Sequence, residues 1–96
     1  MRETDVESYL KKRVRADLQG RALKWVSPGF NGVPDRIVLV PLGRIYFVET
    51  KAPGKGLRAL QGVVRDLITS LGFIVLRIDT KSKVDKFIEE VLANGI

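Results

Sequence analysis

From the N-terminus, apolar residues stand at Val6, Tyr9, Leu10, Val14 and Leu18, three or four positions apart. That spacing predicts a helix with one apolar stripe. Lys11, Lys12, Arg13 and Arg15 occupy its other face, and Gly20 is a natural stop. From Ala22 to Val26 the pattern changes to alternation, with Lys24 between Leu23 and Trp25, as in a strand. The stretch Ser27-Pro28-Gly29-Phe30-Asn31-Gly32-Val33-Pro34 is a loop by composition, and its glycines permit close backbone approach. Strands are expected at Arg36–Val40 and Ile45–Lys51, joined by a Pro41-Leu42-Gly43 turn. A second helix runs from about Arg58 to Leu71. Its apolar face of Leu60, Val63, Val64, Leu67, Ile68 and Leu71 is broad enough to cover a sheet. After Gly72, the run Phe73-Ile74-Val75-Leu76 has the character of a strand buried on both faces. A last helix starts near Ser82 with Val84, Phe87, Ile88, Val91 and Leu92 inward and ends near Asn94-Gly95. The order α-β-β-β-α-β-α predicts an α/β fold with a mixed central sheet. The strand–helix–strand unit implies one parallel pair with a right-handed crossover.

Residues 1–96 suffice for one small domain, and 45% apolar content is that of a globular chain. So short a chain buries a limited core, and a homodimer is a natural supplement. With no cysteine and no histidine, disulfides, thiolate chemistry, imidazole catalysis and His- or Cys-bound metals are all excluded. A metal here must be held by oxygen ligands, which favours magnesium, manganese or calcium. No apolar run is long enough to span a bilayer and no signal-peptide core opens the chain, so the expected location is cytoplasmic. Net charge of +6 points to a polyanionic partner, nucleic acid before an anionic membrane.

The chemistry collects at the two central strands. If Val40 pairs with Arg44 across the turn, Asp35 comes to lie near Glu49. Period-two alternation then puts Lys51 on the same face as Glu49. Two adjacent carboxylates repel unless a cation lies between them, and a magnesium ion resolves this with the Thr50 carbonyl as a further ligand. Lys51 could orient or deprotonate a water, or stabilise charge in a pentavalent transition state. The combination suits phosphodiester hydrolysis; the plain alternative is a surface salt bridge. Thr4-x-x-Glu7 matches a helix capping box, the preferred role for Glu7 from local pattern, with metal ligation as the alternative. By pattern alone Gln61 is an exposed helix-surface residue. Phe30 could stack on a base or fold back onto the core.

Gly32-Val33-Pro34-Asp35, Phe47-Val48-Glu49-Thr50-Lys51 and Gln61 together resemble the Gly-x-Pro-Asp … Glu-x-Lys … Gln pattern of the VRR-NUC domains of the PD-(D/E)XK nuclease superfamily. Members of this length are typical of phages and bacteria, and the element order matches the restriction-endonuclease-like core. The resemblance implies a Mg2+-dependent DNA endonuclease, with Mn2+ able to substitute, acting in replication, repair or recombination. It is expected to be selective for flaps, forks or Holliday junctions and to work as a homodimer. By the same resemblance Asp35, Glu49, Lys51 and Gln61 are catalytic, and Glu7, Asp35, Glu49 and Thr50 form the metal site. Lys11, Lys12, Arg15, Arg36, Lys55 and Arg58 are expected to hold DNA phosphates. Two alternatives remain: a non-catalytic nucleic-acid-binding module on the same fold, and a small basic interaction protein.

Overall fold

The computed structural model describes residues 2–51 and 59–96. Helix α1 (Glu3–Leu18) leads into strands β1 (Arg21–Lys24), β2 (Arg36–Val40) and β3 (Arg44–Thr50). Helix α2 (Ala59–Ser70), strand β4 (Ile74–Ile78) and helix α3 (Lys81–Leu92) follow. The sheet order is β1-β2-β3-β4. Its first three strands are antiparallel neighbours, and β4 runs parallel to β3. The mixed α/β architecture and the order of elements are those expected. The strand bounds shift by one or two residues, so β1 ends at Lys24 and Lys51 lies just past β3.

The core is built on one side of the sheet. Val6, Leu10, Val14 and Leu18 of α1 and Val84, Phe87, Ile88 and Val91 of α3 meet Val38, Val40, Tyr46, Val48 and Ile78 of the strands. The alternation of strand side chains puts Val38 and Val40, and Tyr46 and Val48, on this face. Arg13 is half-buried between α1 and α3: it donates to Asp17 on its own helix and to Asp85 of α3, which also accepts the Tyr9 hydroxyl. These bonds fix the rotation of α1. One ridge faces α3, the apolar stripe faces the sheet, and the Glu7-Lys11-Arg15 ridge is directed elsewhere.

The other sheet face is thinly covered. Trp25, Phe47 and Phe73 form an aromatic row with centroids 5.3 and 5.5 Å apart, while Leu23, Leu39 and Ile45 stay exposed. Helix α2 packs on β4 with Val64 and Ile68 buried, but Leu60, Val63, Leu67 and Leu71 face out. The broad apolar face therefore does not cover the sheet, because a helix seated at one edge can bury only a narrow stripe. For the same reason β4, an edge strand, is half-buried and not enclosed on both faces.

The start of α1 also differs from expectation. The helix begins at Glu3, and the Asp5 carboxylate accepts the Arg2 backbone N–H at 2.9 Å. Thr4 is thus inside the first turn, and Glu7 does not cap the helix. Gly32 shows what the loop glycines are for. It has φ +87°, and a Cβ there would meet the Leu60 side chain at 2.9 Å and Val64 at 3.1 Å. Gly29 has a similar φ of +79° but open space around it. Phe30 between them is half exposed, not folded onto the core.

Both Gly29→Ala and Gly32→Ala place a side chain in a left-handed conformation, at a cost of about 1–3 kcal/mol each. Gly32→Ala must also push α2 away. Thermal unfolding should show the lower midpoint for Gly32→Ala; equal losses would mean that α2 yields freely.

Candidate active site

The turn chemistry fixes the position of the central carboxylates. Leu42 and Gly43 both take positive φ in the turn, and Val40 pairs with Arg44 as expected. Counting back through Arg36 and Val48, this register sets Asp35 opposite Glu49. Oδ2 of Asp35 accepts the Thr50 backbone N–H at 3.1 Å and its hydroxyl at 2.9 Å, so the last turn of pleat in β3 holds the carboxylate. The Lys51 backbone N–H donates to the Ile78 carbonyl at 2.9 Å, anchoring the residue beyond the strand to β4.

Glu49 is only 3% exposed. Its Oε1 lies 3.1 Å from Lys51 Nζ and accepts the Gln61 Nε2 at 2.7 Å. Burial pushes the Glu49 carboxyl above the ordinary range. The Lys51 ammonium opposes that shift, and the neighbouring Asp35 charge adds to it. Gln61 is itself buried, contrary to the surface position that the helical pattern gives it. It sits between the exposed Leu60 and the buried Val64, so the inward stripe of α2 includes one polar residue. A cleft lined by Asn31, Gly32, Leu60 and Gln61 opens beside it.

Glu7 is elsewhere. It accepts a hydrogen bond at 2.9 Å from Nε of Arg36, whose Nη1 also donates to the Ala22 carbonyl at 3.4 Å. Among the described residues no group of three or more carboxylates is gathered closely enough to hold a metal ion. The structure thus brings together Asp35, Glu49, Thr50, Lys51 and Gln61, and leaves Glu7 on Arg36. Of the basic residues, Lys11, Arg15 and Arg36 line one groove and Lys12 is exposed on α1 outside it. Lys55 and Arg58 lie outside the described residues. Sequence reasoning missed Arg77, which parallel pairing sets beside Glu49 and which pairs with Asp79 at 3.2 Å. No local pattern carries that signal, since it depends on the β3–β4 register.

No protein-family model matches the chain. The chain is 42% identical over 81 residues to "Putative nuclease p44" of Acyrthosiphon pisum secondary endosymbiont phage 1, covering 84% of this chain and 86% of that protein. A solved structure described as "VRR_NUC domain" superposes with a TM-score of 0.85 at 33% identity. It covers 91% of this chain and 94% of that one. The chain belongs to the VRR-NUC family of nucleases. In this VRR-NUC chain the Gly-x-Pro-Asp segment does two separable things: Gly32 seats α2, and Asp35 meets Thr50. The Gln of the pattern touches the Glu of the pattern directly, which explains why the residue is buried.

The raised Glu49 carboxyl has a consequence for stability. A carboxylate favoured in its protonated form by the fold contributes stability below its unfolded pKa, and that contribution is lost as pH rises through the folded pKa. Metal-free protein should therefore lose stability across the range just above ordinary carboxylate titration. Asp35→Asn keeps an oxygen to accept both Thr50 bonds and removes the like charge. Melting in EDTA at neutral pH should show a higher midpoint for Asp35→Asn than for wild type, with a shallower decline as pH rises. A lower midpoint at every pH would mean that the Asp35 charge is already neutralised by the protein.

Proposed function

We propose that this chain is a divalent-metal-dependent DNA endonuclease, selective for branched DNA such as flaps, forks or four-way junctions. The observation that carries the reading is the buried Glu49, set opposite Asp35 and held by Lys51 and Gln61. The donor set fits a hard cation. Two carboxylates converge at the end of the central strands, and one is held above its ordinary pKa by burial and by the other. Magnesium needs only one or two protein carboxylates, taking waters and substrate phosphate for the rest. Asp35, Glu49 and the Thr50 carbonyl would hold it, and manganese suits the same oxygens. Glu7 would join only after parting from Arg36. When bound, the metal activates a water and neutralises charge on the phosphate.

The chain's own residues supply the remaining work. Gln61 fixes Glu49 through Oε1. Lys51, 3.1 Å from the same oxygen, is held where its ammonium can orient the attacking water or meet the charge that develops on the phosphate. Thr50 fixes Asp35 with two donors. A basic chain with net charge of +6 draws the polyanion in. Bacterial cytoplasm is the compartment this reading implies; no helix among the described residues is long and apolar enough to cross a membrane.

The same reading includes a homodimer. Leu39 and Ile45 are paired across β2 and β3 on the thinly covered sheet face, next to exposed Leu23. A second copy would shelter them and would bring two active sites to two strands. Leu39→Glu should shift the mass seen by light scattering from dimer towards monomer; an unchanged mass would place any interface elsewhere.

The decisive measurement is cleavage of labelled duplex, flap and four-way-junction DNA with magnesium, manganese or EDTA. Wild type should cut branched DNA with either metal and not in EDTA. Lys51→Ala should be slower by about 10²–10⁴-fold, the range typical of a lost acid–base or charge-stabilising group. Tight binding without cutting under every condition would leave a binding module in place of an enzyme.

A further inference from the structure

A second charged feature lies beside the carboxylates. Lys11 and Arg15 of α1, Arg21 and Lys24 of β1, and Arg36 of β2 line one groove of about 260 Å³ along the outer edge of the sheet. Lys11 and Arg15 continue the ridge that starts at Glu7, each four residues after the last. Lys24 stands directly opposite Arg36 in the β1–β2 pairing. Like charges facing each other across strands destabilise a sheet, so this arrangement is costly when empty. Arg36 is paired with Glu7, but Lys11, Arg15, Arg21 and Lys24 have no carboxylate partner among the described residues. Lys51, Lys83, Arg77 and Arg13, outside the groove, are each matched to an acid.

The groove is joined to the reaction site without being part of it. Asp35 and Arg36 are consecutive, and alternation sends their side chains to opposite sides of β2. The Asp35 carbonyl accepts the Trp25 N–H at 2.8 Å, so the end of β1 is fastened to the residue that carries the carboxylate. A DNA strand whose scissile phosphate meets Asp35 and Glu49 would have a neighbouring part of its backbone, or its partner strand, within reach of Arg36 and Lys24.

We infer that the groove between α1 and β1 is a phosphate-binding track for DNA flanking the cleavage site, and that it binds without metal. This rests on the nuclease reading for the identity of the polyanion, but not on its chemistry. Arg36, held by Glu7 and by the Ala22 carbonyl, presents a fixed guanidinium at the end of the track nearest the carboxylates. Lys24, Arg21, Arg15 and Lys11 extend it away from them. Such contacts carry no base information. They register the strand, and their energy comes from released counterions.

The test is fluorescence anisotropy with labelled four-way-junction DNA in EDTA, at several potassium chloride concentrations. Wild type should bind with a steep salt dependence. The double variant Arg21→Ala/Lys24→Ala should bind about tenfold more weakly, with a log–log salt slope shallower by about 2, one unit per lost phosphate contact. Lys11→Ala/Arg15→Ala, on a different element, should do the same, which separates a groove effect from damage to β1. Lys86→Ala, on α3 beside the opposite edge strand, should leave affinity and slope unchanged. Equal losses in Lys86→Ala and the groove variants would overturn the track in favour of diffuse charge, as would no loss in either groove variant. Cleavage in magnesium by the wild type is scored separately. Cutting with unaltered binding by the groove variants sinks the track alone. Groove-dependent binding with no cutting supports the track and sinks the catalytic reading.

Discussion

A buried carboxylate at the end of β3 sets the terms for the structure around it. Removing an ionised glutamate from water costs several kcal/mol unless charge and hydrogen bonds replace the lost solvation. Glu49 has both, from Lys51 and from Gln61, but it also has Asp35 close by, which makes its ionisation harder. The balance works only if three independent parts of the chain arrive together. The hairpin register brings Asp35, the residue after the strand brings Lys51, and α2 brings Gln61. Gly32 belongs to the same requirement, since a side chain there would hold α2, and with it Gln61, away from the sheet.

The two sides of the sheet divide the labour. One side carries α1, α3 and nearly all of the buried aliphatic residues, and supplies the stability of a small domain. The other carries an aromatic row, a single helix at one edge and several exposed apolar groups. Asp35 and Glu49 lie on this second side by strand alternation, at the end that α2 reaches through Gln61. A site that must admit a bulky polyanion leaves no room for a continuous helical layer above it, so the core is displaced to the opposite face. The exposed leucines and Ile45 follow from that displacement.

Local chemistry was legible in the sequence and assembled geometry was not. The β2–β3 hairpin could be read because a three-residue turn dictates its own register, and that register alone places Asp35 opposite Glu49. The resemblance to VRR-NUC domains rests on these residues together with Gly32, Lys51, Gln61 and the early helical Glu7. The local pattern favours Glu7 as a cap, where the family resemblance makes it a metal ligand, because Thr4 and Asp5 offer overlapping signals: Asp5 ties back to Arg2, which moves the helix start and leaves Glu7 to Arg36. Gln61 looked exposed because a helical pattern gives the width of an apolar stripe and not the edge at which the helix will sit. Arg77 beside Glu49, and Lys24 beside Arg36, come from strand pairings distant in sequence. No local motif encodes them.

Arg36 shows why the residue type at such a junction is restricted. It follows the Asp35 carboxylate directly, ties β2 to α1 through Glu7, reaches the β1 carbonyl of Ala22, and faces Lys24. A lysine would supply the charge, but its single ammonium on a flexible stem cannot direct donors to two fixed acceptors while still presenting charge to a groove. The planar guanidinium, with five N–H donors, can do so. The contact between α1 and the sheet edge is therefore also an electrostatic link. Whatever anion approaches Arg36 competes with Glu7 for the same donors, and the position of the one carboxylate left outside the central pair depends on that competition.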